Sequence, residues 1–262
     1  MFKVTAIPAF NDNYIWVLES PVDTSQVAVV DPGDAQAVIT ALKMHNKTLQ
    51  AILVTHHHDD HTGGVNELRE KYDIRVYGPK NCNFSGITHP LEDLATLSLF
   101  EKELQIKAVP GHTLDHISYF LAAKEQTQRP QVFCGDTLFL AGCGRVFEGS
   151  MQQMLTAMHY FKELPFNTEV YCTHEYSLSN LAFAAAVEPA NDDIQQHIKS
   201  CTALRNNNQI TLPTTIGAEL LINPFLRCDQ QNVRESAANF AKRTLPSELD
   251  VFSCIRQWKN NF

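Results

Sequence analysis

The run Thr55-His-His-His-Asp-Asp-His61, with Gly63-Gly64 just behind it, constrains this chain more than any other stretch. Before it lies Ala51-Ile-Leu-Val-Thr55, short, apolar and β-branched, which reads as a buried strand. At the end of that strand the chain delivers four potential ligands, His56, His58, Asp60 and His61, within six residues. Imidazoles and a carboxylate at this density suit a zinc ion or another first-row metal. A lone histidine is usually a core or surface residue, but six metal-capable side chains in succession are poorly explained as a solvated loop. The order differs from the helical His-Glu-x-x-His pattern, in which two histidines share a face at i and i+4. Here an extended backbone puts His56 and His58 on one side. Asp60 and His61 are then free to turn towards a second metal.

Three more candidates occupy equivalent places. His112 follows the apolar run 104–109, Asp136 follows 131–134 and His174 follows 169–172. In open α/β architectures ligands bind at the C-terminal ends of strands. The small residues beside these candidates (Gly63, Gly64, Gly111, Gly135) let the backbone approach a metal site closely. Four distant stretches with one design make a stronger signal than any one of them.

The surrounding pattern is α/β. Residues 2–7 and 14–18 read as strands joined by a turn at Asn11-Asp-Asn13, and 27–30 as a further strand. Asp31-Pro-Gly33 ends that strand, and Asp34 can cap a helix with the stripe Val38, Ala41, Leu42 and His45. Thr62 can cap a helix over 64–72, and 74–77 is a strand. The stretch 81–103 has no clear period. Strands are expected at 104–109, 117–122, 131–134 and 169–172. Ser150 starts a helix with Met151, Met154, Leu155, Met158 and Phe161 on one stripe, a core face at this spacing. From residue 177 the character changes. Helices are expected over 177–188, 191–206, 233–243 and 247–260, with prolines between them, so the chain divides into 1–174 and 175–262.

Length and composition narrow the function. The 262 residues can bury one large domain or a domain with an appendage, and 44% hydrophobic with 19% charged residues is ordinary for a soluble globular protein. A net charge of −8 argues against nucleic acid as a partner. Seven cysteines, odd in number and without a C-x-x-C pair, look like reduced thiols. The N-terminal apolar stretch is broken by Pro8, unlike a signal peptide, and nothing approaches the roughly 18 apolar residues of a membrane span. A cytoplasmic protein without a membrane partner is expected.

With these residues in view, the chain resembles the glyoxalase II (hydroxyacylglutathione hydrolase) family of the metallo-β-lactamase superfamily. The likeness covers nearly the whole length. It rests on Asp12-Asn-Tyr14, Thr55 to His61, Gly111-His-Thr113, Gly135-Asp136, Gly142-Cys-Gly-Arg-Val-Phe-Glu-Gly149, His174-Glu-Tyr176 and Asn223-Pro-Phe225. The resemblance implies an α/β fold, a four-layer αββα sandwich, with a catalytic domain over 1–174 and a helical glutathione-binding domain over 175–262. It implies two divalent metal ions per chain, zinc first, with iron or manganese as alternatives. His56, His58 and His112 would bind one metal, Asp60, His61 and His174 the other, and Asp136 would bridge them. Asp60, His61 and Asp136 are counted as catalytic too. Glutathione contacts fall on Arg145, Tyr176, Arg256 and Lys259. Where some members carry Lys and Tyr after Gly-Cys-Gly, this chain has Arg145 and Phe147, so a charge is kept and a phenolic hydroxyl is not. His57 and Asp59 fall between ligands, and His116 is either an orienting residue or a buried structural one. Asp31 reads more simply as a turn-maker than as a residue that fixes a ligand.

The activity so implied is hydrolysis of S-(2-hydroxyacyl)glutathione, chiefly S-D-lactoylglutathione, to glutathione and D-lactate, a step of methylglyoxal degradation. A hydroxide held between two metals is the expected nucleophile, because metal binding brings the pKa of water to about 7. A thiol of pKa near 8.5 can leave as thiolate, so no separate acid is required. Cys134 and Cys143 read as small buried residues rather than nucleophiles. The small-molecule substrate is the expected partner, and a monomer the expected state. Competing readings are a lactonase, a β-lactamase, an iron-dependent persulfide dioxygenase or a non-catalytic metal- or glutathione-binding module. A complete set of seven ligands argues against the last.

Overall fold

The structure is a computed structural model and describes residues 1–262. The first half builds one mixed sheet from β1 (Lys3–Ala9), β2 (Asn13–Glu19), β3 (Gln26–Val30), β4 (Thr48–Leu53), β5 (Arg75–Pro79) and β6 (His89–Leu91), paired in that order. The helix α1 (Ala35–Met44), the single turn α2 (Asp59–Thr62) and α3 (Val65–Tyr72) connect its parallel part. The second sheet contains β7 (Thr96–Leu99), β8 (Lys102–Ala108), β9 (Ile117–Leu121) and β10 (Gln131–Gly135). After the small hairpin β11 (Leu138–Phe139) and β12 (Gly142–Cys143) and the helix α4 (Met151–Lys162), it is completed by β13 (Glu169–Cys172) and, beyond α5 (Ser177–Val187) and α6 (Asp192–Asn206), by β14 (Thr214–Thr215). The chain ends in α7 (Ile216–Ile222), a 3-10 turn at Pro224–Leu226, α8 (Gln231–Ala241) and α9 (Glu248–Asn260).

The period-2 alternation of strand side chains sorts the first sheet's residues into two cores. Ile15, Val27, Val29, Leu49 and Ile52 face outward and bury against Ala35, Val38, Ile39 and Leu42 of α1 and Val65 and Leu68 of α3. Tyr14, Trp16, Leu18, Ala28, Val30, Ala51 and Leu53 face inward, into a core shared with β8, β9, β10 and β13. Strands covered on both faces need near-continuous apolar sequence, which is why 27–30 and 49–54 carry so little polarity. The inner core continues under α4 through Met154, Leu155, Met158 and Phe161, and on into Leu181, Phe183, Phe225, Phe252 and Ile255 of the C-terminal helices. Helix starts are fixed locally: Asp34 accepts from the Gln36 and Ala37 amides, and Ser150 with Gln153 and Ser247 with Asp250 form capping boxes.

Some details differ from expectation. Thr62 caps nothing: α2 forms within the histidine run, Thr62 Oγ1 donates back to the His58 carbonyl at 3.0 Å, and α3 starts at Val65 with Gly64 at its N-cap and no side-chain cap. The strand before the run begins at Thr48 and ends at Leu53. The buried face of α1 uses Ile39, while His45 is exposed. The unread stretch 81–103 holds β6 and β7, three and four residues long, and α7 fills a segment for which no helix was expected.

Candidate active site

The strands that lead to the candidate ligands end at one rim of the packed sheets. Val30 leads into Asp31, Leu53 into the histidine run, Ala108 into His112, Gly135 into Asp136 and Cys172 into His174. Backbone bonds stitch this rim: Tyr14 N–H to the Thr173 carbonyl (2.7 Å), Glu175 N–H to Asp12 (2.8 Å) and Ile117 N–H to Thr55 (2.9 Å). Gly135 holds φ +48°, and a Cβ there would stand 2.4 Å from Thr55 Oγ1 and 2.8 Å from the His116 ring. Only glycine lets β10 turn this close to the rim.

Seven side chains converge here. His56, His58 and His112 offer ring nitrogens to one another, with His58 Nδ1 at 3.0 Å from His56 Nε2 and 3.1 Å from His112 Nε2. Asp60, His61 and His174 form a second group, with Asp60 Oδ2 at 3.5 and 3.4 Å from the two Nε2 atoms. Asp136 stands between the groups: Oδ2 lies 3.5 Å from His112 Nε2 and 3.3 Å from His174 Nε2, and Oδ1 lies 3.4 Å from His61 Nε2.

The donors fit divalent cations. One imidazole nitrogen faced by two others is a poor hydrogen-bond arrangement, but nitrogens about 3.3 Å apart are what a tetrahedral ion with bonds near 2.05 Å requires. Both ring nitrogens of His61 and Asp136 Oδ1 are buried without a hydrogen-bond partner of good geometry, although carboxylate oxygens stand close to each nitrogen. The electrostatics agree. Burial and neighbouring imidazoles hold His56 well below its ordinary pKa, and burial lowers His58 and His112. Around the second group, burial opposes charge but the carboxylates prevail: Asp136 and Asp31 hold His61 well above its ordinary value, and Asp136 with Asp60 raises His174 to about 10. Despite their burial, Asp60 and Asp136 are held well below the usual carboxylate range by His174 and His61. One group of nitrogens thus offers neutral lone pairs, and the other sits in a field that favours positive charge.

Side chains behind the seven orient them, as ligating histidines generally require. Asp31, left-handed at φ 52°, accepts from the Thr55 amide and hydroxyl (both 2.7 Å) and faces His61 Nδ1 at 3.0 Å. Asp12 Oδ1 takes His174 Nδ1 at 2.8 Å, Asn13 Nδ2 donates to Asp60 Oδ2 at 3.0 Å, and the Arg145 carbonyl takes His112 Nδ1 at 2.8 Å. His116, fully buried and stacked on His56, accepts the Asp136 amide at 3.1 Å. Asp31 is therefore more than a turn-maker. Asp12 and Asn13 went unassigned because a turn of Asn and Asp reads as a turn.

A cavity of about 450 Å³ is lined by five of the seven, His58, Asp60, His112, Asp136 and His174. Phe139, Phe147 and Tyr176 wall it, and Tyr176 stacks on the His174 ring at 4.6 Å. Arg145, Arg256 and Lys259 line it as well. A larger groove of about 890 Å³ between β1 and α1 contains none of the seven. Cys134 and Cys143 are buried, and burial raises both thiols, so neither is a ready nucleophile.

Comparison with known proteins decides the family. Residues 10–174 match the model of the metallo-β-lactamase superfamily, and residues 175–262 match that described as the hydroxyacylglutathione hydrolase C-terminus. Curated proteins named hydroxyacylglutathione hydrolase from Shewanella baltica and Aliivibrio fischeri are 48% and 44% identical to it, with all of each chain covered. The chain belongs to the hydroxyacylglutathione hydrolase family. Among solved structures, ETHE1 from Myxococcus xanthus matches 99% of the chain and 98% of its own at 22% identity and TM-score 0.63, which shows the shared fold. The B3 metallo-β-lactamase BLEG-1 matches 86% of this chain and 99% of its own at 25% identity and TM-score 0.61.

The metallo-β-lactamase fold with a helical C-terminal part is therefore the observed one, and the superfamily implies divalent metal ions. For a hydroxyacylglutathione hydrolase the cationic side of the cavity bears most directly on the substrate. Arg256 and Lys259, three apart on α9, both line it. Arg256 is no solvated helix residue: it is 5% exposed, donates to the Cys143 carbonyl at 2.7 Å and lies over the Phe225 ring. Lys259 is half-buried and donates to the Ser179 carbonyl at 3.1 Å, and burial, with Arg256 nearby, lowers it to about 8. No helix is long and apolar enough to cross a membrane.

Proposed function

We propose that this chain hydrolyses the thioester of S-(2-hydroxyacyl)glutathione, chiefly S-D-lactoylglutathione, releasing glutathione and D-lactate. One observation carries the reading: a single cavity is lined by members of both ligand groups, by the Asp136 that joins them and by three cationic side chains. A thioester and the carboxylates of a glutathione moiety need those two chemistries together.

His56, His58 and His112 would hold one divalent cation, Asp60, His61 and His174 the other, and Asp136 both. When bound, such ions bring the pKa of water towards about 7 and neutralise charge developing on a carbonyl oxygen. Asp60 and Asp136, ionised across the neutral range, present lone pairs that orient an attacking water, while Asp31 and Asp12 keep His61 and His174 facing inward. The rings of Phe139, Phe147 and Tyr176 shield the acyl group from bulk water. Arg145 and Lys259 take the glutathione carboxylates, Tyr176 flanks the peptide, and Arg256 supports the Gly142-Cys143 backbone beneath it. The thiol leaves as thiolate, its ordinary pKa near 8.5 making a proton donor unnecessary.

The imidazole-rich first group favours zinc, with iron or manganese accommodated by the carboxylates of the second. Residues 1–174 then serve as the catalytic unit and 175–262 as the glutathione-binding unit, in a monomeric cytoplasmic protein that takes no nucleic acid. The test is thiol release from S-lactoylglutathione set beside ring opening of a β-lactam and hydrolysis of a short thioester without the peptide. Efficient release from S-lactoylglutathione alone supports the assignment. Equal rates on the short thioester, or preference for the β-lactam, would refute it.

A further inference from the structure

His57 is the one histidine of the run that joins neither ligand group. Its ring points away from them, with Nδ1 3.0 Å from Asp115 Oδ1 and Nε2 3.2 Å from Glu148 Oε1. The Asp115 side chain is 4% exposed, so one end of this arrangement is anchored in the protein. Glu148 belongs to a surface strap, residues 144–149, and its second oxygen accepts the Leu114 amide at 2.9 Å. The strap borders the cavity. Phe147 N–H reaches the His112 carbonyl at 3.2 Å and Gly149 N–H the Gly111 carbonyl at 3.1 Å. At its start, a Cβ on Gly144 would stand 2.0 Å from the Asp136 carbonyl, so only glycine lets the strap pass this close to the site.

The strap carries two cavity-lining residues. Phe147 sets its ring 5.3 Å from that of His112 and 5.9 Å from that of His58, and the Arg145 guanidinium lies over the Phe147 ring at 5.8 Å. Yet Arg145, Phe147 and Glu148 are all exposed, and past Gly144, whose amide reaches the Thr137 carbonyl, the strap's backbone bonds run to one neighbouring loop. Exposed segments held by a few backbone bonds open readily. Among the strap's side chains, Glu148 alone makes polar contacts with two other loops at once.

We propose that Glu148 and His57 are a positioning pair that clasps the strap, so that Arg145 and Phe147 stay set over the substrate cavity. The pair touches no reacting atom and acts through the strap. Its effect on substrate rests on the reading of Arg145 as a glutathione contact. Its effect on the strap does not.

The test uses full-length, metal-loaded Glu148→Ala, Glu148→Gln and Arg145→Ala proteins, read by amide exchange over 144–149, steady-state kinetics and metal content. In Glu148→Ala the strap amides should exchange about fivefold faster, the range expected for losing a partly exposed polar contact of about 1 kcal/mol. KM for S-lactoylglutathione should rise by a similar factor, with kcat and metal content near wild type. Glu148→Gln keeps an oxygen for the Leu114 amide and should recover much of the loss. If Arg145→Ala leaves KM unchanged while Glu148→Ala still loosens the strap, the clasp stands and the glutathione role of Arg145 falls. Unchanged strap exchange in Glu148→Ala overturns the clasp. So does loss of bound metal in that variant, because His57, Asp115 and Glu148 also group closely enough to hold an ion.

Discussion

At the scale of single residues, the site is governed by what stands behind each ligand-type side chain. The first group is backed by neutral partners, the Thr55 hydroxyl for His56 and the Arg145 carbonyl for His112, whereas His61 and His174 are backed by the carboxylates of Asp31 and Asp12. Removing such a partner typically costs 10- to 100-fold in metal affinity. Asp12→Ala should therefore release one metal at about that much lower chelator concentration while the other is retained. Equal retention of both would contradict the role given to Asp12. A second residue-scale expectation concerns Lys259, lowered to about 8 by burial and by Arg256. The charged form, which binds a carboxylate, prevails below that pH and is lost as pH rises through it. Wild-type KM for S-lactoylglutathione should thus climb above about pH 8 with kcat flat. Lys259→Met should start about tenfold higher, which corresponds to roughly 1.4 kcal/mol, and show no rise there. The seven ligand-type residues were legible because each is a metal-type side chain just after an apolar run. Asp12 was not, because the contact that gives it a role lies 162 positions away.

At the scale of elements, α7 carries a network that the sequence did not reveal. Glu219 is fully buried and accepts from the Ala141 amide (2.8 Å), the Thr214 hydroxyl (2.8 Å) and Asn223 Nδ2 (2.9 Å). Asn223 in turn donates to the Phe139 and Gly142 carbonyls, so this one turn of the helical part fixes the hairpin from which the strap departs. Burial outweighs the three donors and raises Glu219 from 4.5 to about 7. Between those values the folded chain holds a proton that the unfolded chain releases, so the group's contribution to stability falls as pH rises from 4.5 to 7 and is level above. The change amounts to about 3 kcal/mol. Urea unfolding of wild type and Glu219→Gln at pH 5.0 and 7.5 isolates it, since effects common to both proteins cancel in the difference. A difference independent of pH would show that Glu219 stays ionised throughout. Such elements escape sequence reading for a plain reason. β6 and β7 are too short to display a period, and α7 has only seven residues, with Pro213 just before it. The long apolar runs and capped helices, by contrast, announce themselves.

At the scale of the whole molecule, the two matched segments share one interior. Phe183 and Phe225 beyond residue 174 belong to the same buried cluster as Trp16 and Phe133 before it. The helical part supplies Arg256 and Lys259 to the cavity and closes the core beneath it, so the cationic side is held in fixed relation to the ligand groups. An α/β pattern was legible from the apolar strand runs, and the sandwich only through the family resemblance. That the C-terminal helices also complete the core was not, because their apolar stripes do not say which surface they cover. On this reading, seven side chains form one dinuclear hydrolytic site. It is tested most directly by stripping the protein with chelator and returning metal in measured steps. Bound metal and thiol release from S-lactoylglutathione are read on each sample. Hydrolysis should be negligible without metal, and the rate should climb until two equivalents are bound and then level off. Undiminished hydrolysis in stripped protein, or a full rate at one equivalent, would contradict it.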